Sequence, residues 1–223
     1  MSTPPTAEPG IENASQPAAL PIQNVQNKRS GEILSVAIKV FARRGYRNTD
    51  VQEIADLVGI GKGTIYRAFG TKEGLFFAAV DQCMQRLNES MGCDDPDLPV
   101  CQSPAQRLEE KILAFLRFFE ENEELIELLI QERSEFRDRK SHSYTRNWLS
   151  NSPRWRERLR SCMDAGEYRE LPVDGLIAVL NNVLYGAIFT HYFSKEKINL
   201  ESTAKLIADV VLNGILCQPK HNI

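Results

Sequence analysis

TDVQEIADLVGIGKGTIYRAFGTK, Thr49 to Lys72, reads as two short helices joined by a tight turn. Thr49 and Gln52 have the spacing of a capping box, in which the hydroxyl takes a free backbone N–H and the glutamine reaches back. Ile54, Ala55 and Val58 then form an apolar stripe at helical spacing. Gly59 closes this helix, because a residue without Cβ adopts the left-handed conformation at little cost. Gly61 opens the second helix, on which Ile65 and Phe69 fall on one side. Lys62, Thr64, Tyr66 and Arg67 are left on the other. A helix-turn-helix that enters a DNA major groove needs this division of faces.

Upstream, Ile33, Leu34, Ala37, Ile38, Phe41 and Ala42 predict a helix from near Lys28 that stops at Gly45. Downstream, Thr71 caps a helix striped by Leu75, Ala79, Cys83 and Leu87 and ending near Gly92. The segment GCDDPDLPVCQSP, from Gly92, has the Pro, Gly and Asp content of a loop. Ser103-Pro104-Ala105-Gln106 is a second capping box, with Pro at the favoured first helical position. Leu108, Ile112, Phe115, Leu116 and Phe119 follow on one face, and Leu125 to Ile130 makes another apolar helix.

A polar helical stretch from about Arg137 to Ala165 is expected to kink or split at Ser152-Pro153. The last two helices should run from Val173 to Phe193 and from Glu201 to Cys217. Sustained period-two alternation is absent, so the class is all-α. The expected division is a disordered leader over residues 1–27, a helix-turn-helix domain over 28–75 and a helical body over 76–223. The leader carries five prolines and neither Lys nor Arg.

Charge separates the parts. Lys28 to Leu75 holds nine basic and five acidic residues, a net +4, which leaves −7 for the rest of a chain whose net charge is −3. A basic head on an acidic body fits a DNA-binding module attached to a part with another task. The five cysteines form no CxxC pair, and no histidine is placed with them in a pattern that suggests a zinc site, so none is expected and the thiols read as reduced. Cys93 and Cys101, flanking the acidic loop, are a weakly signalled redox pair. An uninterrupted apolar run long enough to span a bilayer is absent, as is a signal sequence, so the expected location is the cytoplasm, with no membrane partner. No catalytic residues are assigned: nucleophile motifs and HExxH are missing, and GIGKG lacks both the spacing and the preceding strand of a phosphate loop.

FARRGY at 41–46, Thr49, IADLVGI at 54–60, GKGTIYRAF at 61–69 and Lys72-Glu73 together resemble the TetR family of bacterial transcriptional regulators. The resemblance covers roughly Arg29 to Ala79. It implies an all-α homodimer with a three-helix DNA-binding head and a helical ligand-binding body. It further implies repression of genes beside an inverted-repeat operator in double-stranded DNA, and release when a small molecule binds. Two positions depart from the family pattern. Gly61 stands where many members have Ser, and Ala68 where many have an aromatic residue or His. The competing reading is a DNA-binding protein without ligand control, activating or architectural.

By this resemblance, Lys62, Gly63, Thr64 and Arg67 are the candidate base contacts. Arg67 suits guanine and Thr64 a thymine methyl. Thr49, Tyr66 and Lys72 are candidate phosphate contacts, with Lys28 and Arg29 ahead of the first helix. In the body, Phe115, Phe119, Leu129, Tyr144 and Trp148 read as pocket walls or as plain core, with Glu132 and Arg133 placed to orient a ligand. The aromatic content leans towards an apolar or aromatic effector; no cofactor or metal is expected. Leu176, Leu180, Val183, Leu184, Ala187, Ile207, Val210 and Val211 wrap more of their helices than one core stripe needs, which predicts a dimer interface built as a four-helix bundle.

Overall fold

The computed structural model describes residues 21–91, 103–194 and 199–213, and side chains there except those of residues 21–28 and 104. Among the described residues all regular structure is helical. The order is α1 (Pro21–Arg44), α2 (Val51–Val58), α3 (Lys62–Phe69), α4 (Lys72–Ser90), α5 (Pro104–Glu121), α6 (Glu123–Glu135), α7 (Ser143–Asp164), α8 (Val173–Ser194) and α9 (Leu200–Asn213).

The first helix starts at Pro21 and not near Lys28, so the expected leader is shortened. Pro suits a first helical position because its missing N–H would have no partner there. The polar run that follows it simply carries no apolar period to read. Ile33, Ala37, Ile38, Val40 and Phe41 bury one side of α1, and Gly45 ends it with φ 79°.

The capping of α2 also departs from expectation. Asp50, not Thr49, is the N-cap, accepting from the Gln52 backbone N–H. The Gln52 side chain bonds Asp56 instead of reaching back, at 2.7 Å. Thr49 is buried and its hydroxyl donates to the Gly45 carbonyl at 2.8 Å. Gly59 takes the left-handed conformation with φ 73°, and its N–H closes the helix on the Ala55 and Asp56 carbonyls. Thr71 caps α4 and Ser103 forms the full capping box of α5 with Gln106.

In α7 the helix begins at Ser143 and runs through Pro153 as one element. Proline cannot donate to the carbonyl four residues back. The Ser152 hydroxyl bonds that Leu149 carbonyl instead, at 2.8 Å. One side-chain donor thus stands in for the lost backbone donor.

The head packs α1 on α2 and α4, with α3 between α2 and α4; α4 then continues into the body against α5, α6 and α7. α9 lies along α5, and α8 along α7, α5 and α6. The expected boundary at residues 75 and 76 falls in the first turn of α4. The buried core runs on across it, from Ile33 through Phe76 to Ala208. Averaged over 18 of its residues, α8 is apolar enough to cross a membrane by length and composition, although it holds no uninterrupted apolar run of that length. Asp174, Asn181 and Asn182 interrupt its apolar run without offsetting it. One side of the helix, Ile177, Leu180, Leu184 and Ile188, is buried against the body.

Candidate nucleic-acid interface and body cavities

The outward face of α3 follows from two buried anchors. Ile65 is fully buried, and Phe69 is half-buried against the core, which leaves Gly63, Tyr66 and Arg67 exposed and Thr64 half-exposed. Nothing lies within 4 Å of the place where a Gly63 Cβ would stand, so the backbone there is open to close approach. Gly61 is the N-cap and supplies no side-chain bond. A tether outside the helix holds this start: Lys62 Nζ lies 2.7 Å from Asp50 Oδ1. The Lys62 ammonium holds the Asp50 carboxyl below its usual range, the Gln52 N–H adding to the effect. In return Asp50 raises Lys62. Lys62, expected to read a base, is thus turned back onto the cap of α2.

The expected phosphate contacts divide. Tyr66 and Arg29 are exposed. Thr49 is withdrawn from that role, since it is buried with its hydroxyl turned to Gly45. Lys72 donates to the Arg47 carbonyl at 3.0 Å and lies 4.9 Å from the Tyr46 ring centroid, and burial lowers its pKa. The Lys28 side chain lies outside the described residues.

Head and body meet around one aromatic residue. The Phe136 ring lies 4.8 Å from Tyr46 and from Phe77 and 5.7 Å from Phe76. Phe136 caps the C-terminus of α6 and packs against the head. Arg47 Nε donates to Glu135 at 2.6 Å, and Gln131 Nε2 donates to the Phe41 carbonyl at 2.9 Å. The Arg139 guanidinium sits 3.6 Å from the Phe77 ring centroid and pairs with Glu132 at 2.8 Å.

The residues expected in one body pocket separate into three places. Phe115, Tyr144 and Trp148 line an apolar cleft between α4, α5, α7 and α8, enclosing about 60 Å³. Phe119 is buried against Phe115 and Phe118 as core. Leu129, Glu132 and Arg133 line a second, more open cavity between α6, α7 and α8, which Tyr144 also borders. The cleft includes Leu87, Ile177, Leu180 and Leu184, which sequence reasoning missed as lining. It also holds a polar patch: Asn88 and Asn147 exchange amide hydrogen bonds at 2.8 and 3.3 Å, and Asn151 donates to Asn88 at 3.2 Å. Asn147 and Asn151, four apart on a helix, were the available signal. The Tyr144 hydroxyl donates to Asn181 at 3.1 Å, and burial raises its pKa.

Leu180 and Leu184, expected at a dimer interface, are buried inside this chain on the cleft. The period that brought them into the expected set belongs to the inward side of α8. Val183 and Val210 of that set are exposed, and Leu176, Ala187, Ile207 and Val211 are half-buried. Val179 and Leu206, outside the set, are 54% and 62% exposed and lie one turn from Val183 and Val210.

Cys83 is buried, which pushes its thiol up to about 11. Cys93, Cys101 and Cys217 lie outside the described residues.

Residues 33–79, from α1 into α4, match the family model of the bacterial regulatory proteins of the tetR family. That segment, the head of the chain, is a TetR-family DNA-binding segment. YerO, an uncharacterized HTH-type transcriptional regulator of Bacillus subtilis, is 31% identical over 106 residues, spanning 48% of this chain but only 36% of its own length. The HTH-type transcriptional repressor KstR2 of Mycobacterium tuberculosis is 24% identical over 192 residues, 85% of this chain and 94% of its own. The fold matches the transcriptional regulator FadR of Bacillus subtilis, solved with stearoyl-CoA, at a TM-score of 0.67 and 20% identity over 83% of this chain and 99% of that one. The chain thus joins a TetR-type head to an all-helical body of the same fold as these regulators, and it spans about a third of YerO's length.

Proposed function

We propose that this chain is a homodimeric, sequence-specific TetR-family repressor that a small molecule releases from an inverted-repeat operator in double-stranded DNA. The observation that carries the reading is the outward face of α3, with Arg67 and Tyr66 exposed around an open Gly63 backbone. Gly63, Thr64 and Arg67 read base edges, and Tyr66 and Arg29 take phosphates. The amides at the N-terminus of α4 add a further phosphate position. The repressor role is proposed by similarity to the repressor KstR2, whose alignment covers most of both chains. The domain division is a head over α1 to α3 and a body from α4 onward, which binds the ligand and dimerises.

The effector occupies the apolar cleft, with an uncharged hydrogen-bonding group against Asn88, Asn147 and Asn151. Ligand sites commonly measure about 300–1,000 Å³. A cleft enclosing about 60 Å³ must widen to admit such a molecule, which parts α7 from α4 and α5. Because α4 also carries the head, a ligand that binds the widened state better disfavours the DNA-competent one. A coupling of about 1–3 kcal/mol weakens DNA binding roughly five- to 150-fold.

Selection of bound sequences from a random DNA pool at about 150 mM salt tests the reading, since non-specific attraction is screened there. An enriched inverted repeat with half-sites about 34–36 Å apart, or a multiple, is the expected result. Folded, dimeric protein that enriches nothing overturns it.

A further inference from the structure

Three helix starts in the head meet around one carboxylate. Asp50 is the N-cap of α2, Lys62 the first residue of α3 and Lys72 the first residue of α4. Asp50 Oδ1 accepts from Lys62 Nζ at 2.7 Å and from the Gln52 backbone N–H at 2.9 Å. Lys62 first, then the Gln52 N–H and, more weakly, the Lys72 charge hold this carboxyl below its ordinary value. Lys72 itself donates elsewhere, to the Arg47 carbonyl. The carboxylate is thus fixed by the helix it caps, and Lys62 comes to it.

The place of this pair matters for DNA. With side chains 65% and 37% exposed, Asp50 and Lys62 lie at the head surface and not in its core. Lys62 opens the helix on which Gly63 and Arg67 are exposed and Thr64 half-exposed. A lysine free at that point would reach a DNA phosphate, a contact made to any sequence alike. Such contacts supply essentially all of non-specific binding. The other ion pairs at the head surface are not matched in this way. Arg43 and Arg44 share the single oxygen Glu53 Oε1, which leaves one guanidinium charge in excess. Lys62 has a carboxylate to itself, so its charge is cancelled where it stands.

We propose that Asp50 is a positioning residue for DNA binding: its carboxylate holds Lys62 off the duplex backbone and so limits attraction to DNA of any sequence. Gly63, Thr64 and Arg67 then carry a larger share of the binding that remains. The inference rests on the DNA-binding reading of the head and goes beyond it, because it assigns a residue that weakens the contact.

Binding of the full chain to a random-sequence duplex of about 30 base pairs, measured across a salt series, tests it. Asp50→Asn loses the charge but keeps the cap of α2, since Asn and Asp cap equally well. Its slope of log affinity against log salt should be about one unit steeper, which means roughly fivefold tighter binding at about 150 mM salt. Lys62→Met should bind as the parent does, and the double variant should gain nothing over Lys62→Met. Asp50→Ser, a second uncharged cap, takes its place if the asparagine variant does not fold. An unchanged slope in a folded, uncharged cap variant overturns the proposal. So does a gain that survives in the double variant, because the carboxylate then acts on the duplex by its own charge. A slope about one unit shallower in Lys62→Met also overturns it, since Lys62 would already hold a phosphate. In each of these cases the parent still binds the duplex and the regulator reading stands; a folded parent that binds no duplex at low salt overturns both.

Discussion

Arg67 and Tyr66 are neighbours on α3 but face different parts of a duplex. Under the proposed reading, Arg67→Ala relaxes the preference at one base position, whereas Tyr66→Ala weakens all sequences alike. Binding measured across single-base variants of the selected operator separates the two. Equal loss on operator and random DNA for Arg67→Ala removes it as a reader. Gly74 is a second decisive residue, for steric reasons. A Cβ there would stand 2.2 Å from the Phe69 carbonyl oxygen, a backbone atom at the end of α3. Gly74→Ala must therefore push α3 away from α4, at a cost of about 1–3 kcal/mol, in the range of overpacked cores. Denaturant unfolding measures this directly, and unchanged stability would show that the helices yield freely.

Asp50 offers a pH test at the same scale. Its carboxyl is held below the ordinary value of 3.8, first by Lys62 and then by the Gln52 N–H. A depressed carboxyl contributes stability above its unfolded value and loses it as pH falls through the folded one. The tether is therefore intact at neutral pH and fails only in acid. In Lys62→Met the Asp50 carbon titration followed by NMR should move up towards the ordinary value; an unmoved midpoint would show that the Gln52 N–H alone holds it.

At the scale of elements, α7 contains its own repair. Ser152 satisfies the Leu149 carbonyl that Pro153 leaves without a backbone donor. Pro153→Ala restores that donor, and Pro costs about 3 kcal/mol relative to Ala inside a helix. The unfolded chain gains freedom at the same time, worth about 0.4–1 kcal/mol the other way. A net gain of about 2 kcal/mol in denaturant unfolding is expected; a loss would mean that the helix needs its proline. The sequence made this element readable only in part. Pro153 announced a break, but the compensating hydroxyl depends on a rotamer that no spacing reveals. Capping shows the same boundary of legibility. Ser103 and Gln106 were read correctly, whereas Thr49 and Asp50 both have capping side chains and burial chose between them. The cleft was half legible: aromatic residues announced Phe115, Tyr144 and Trp148. Leu180 and Leu184 turn inward because α7 and α5 pack on that side of α8, a tertiary choice absent from an all-round apolar helix.

For the whole molecule, the outer sides of α8 and α9 carry Val179, Val183, Leu206 and Val210 exposed. A second copy covering them would remove an apolar surface that a monomer leaves in water. Val183→Glu places a charge in that proposed contact, and sedimentation should show monomers with head folding retained. A dimer of unchanged strength would place the interface elsewhere.

The core that continues from α1 through α4 into α6 has an evolutionary corollary. A head of this kind cannot be exchanged between relatives at the end of its matched segment, because Phe136, Gln131 and Glu135 complete its underside from the far side of the chain. Recombinants that swap operator preference must carry the end of α6 along with α1 to α4, or meet a socket shaped for another head.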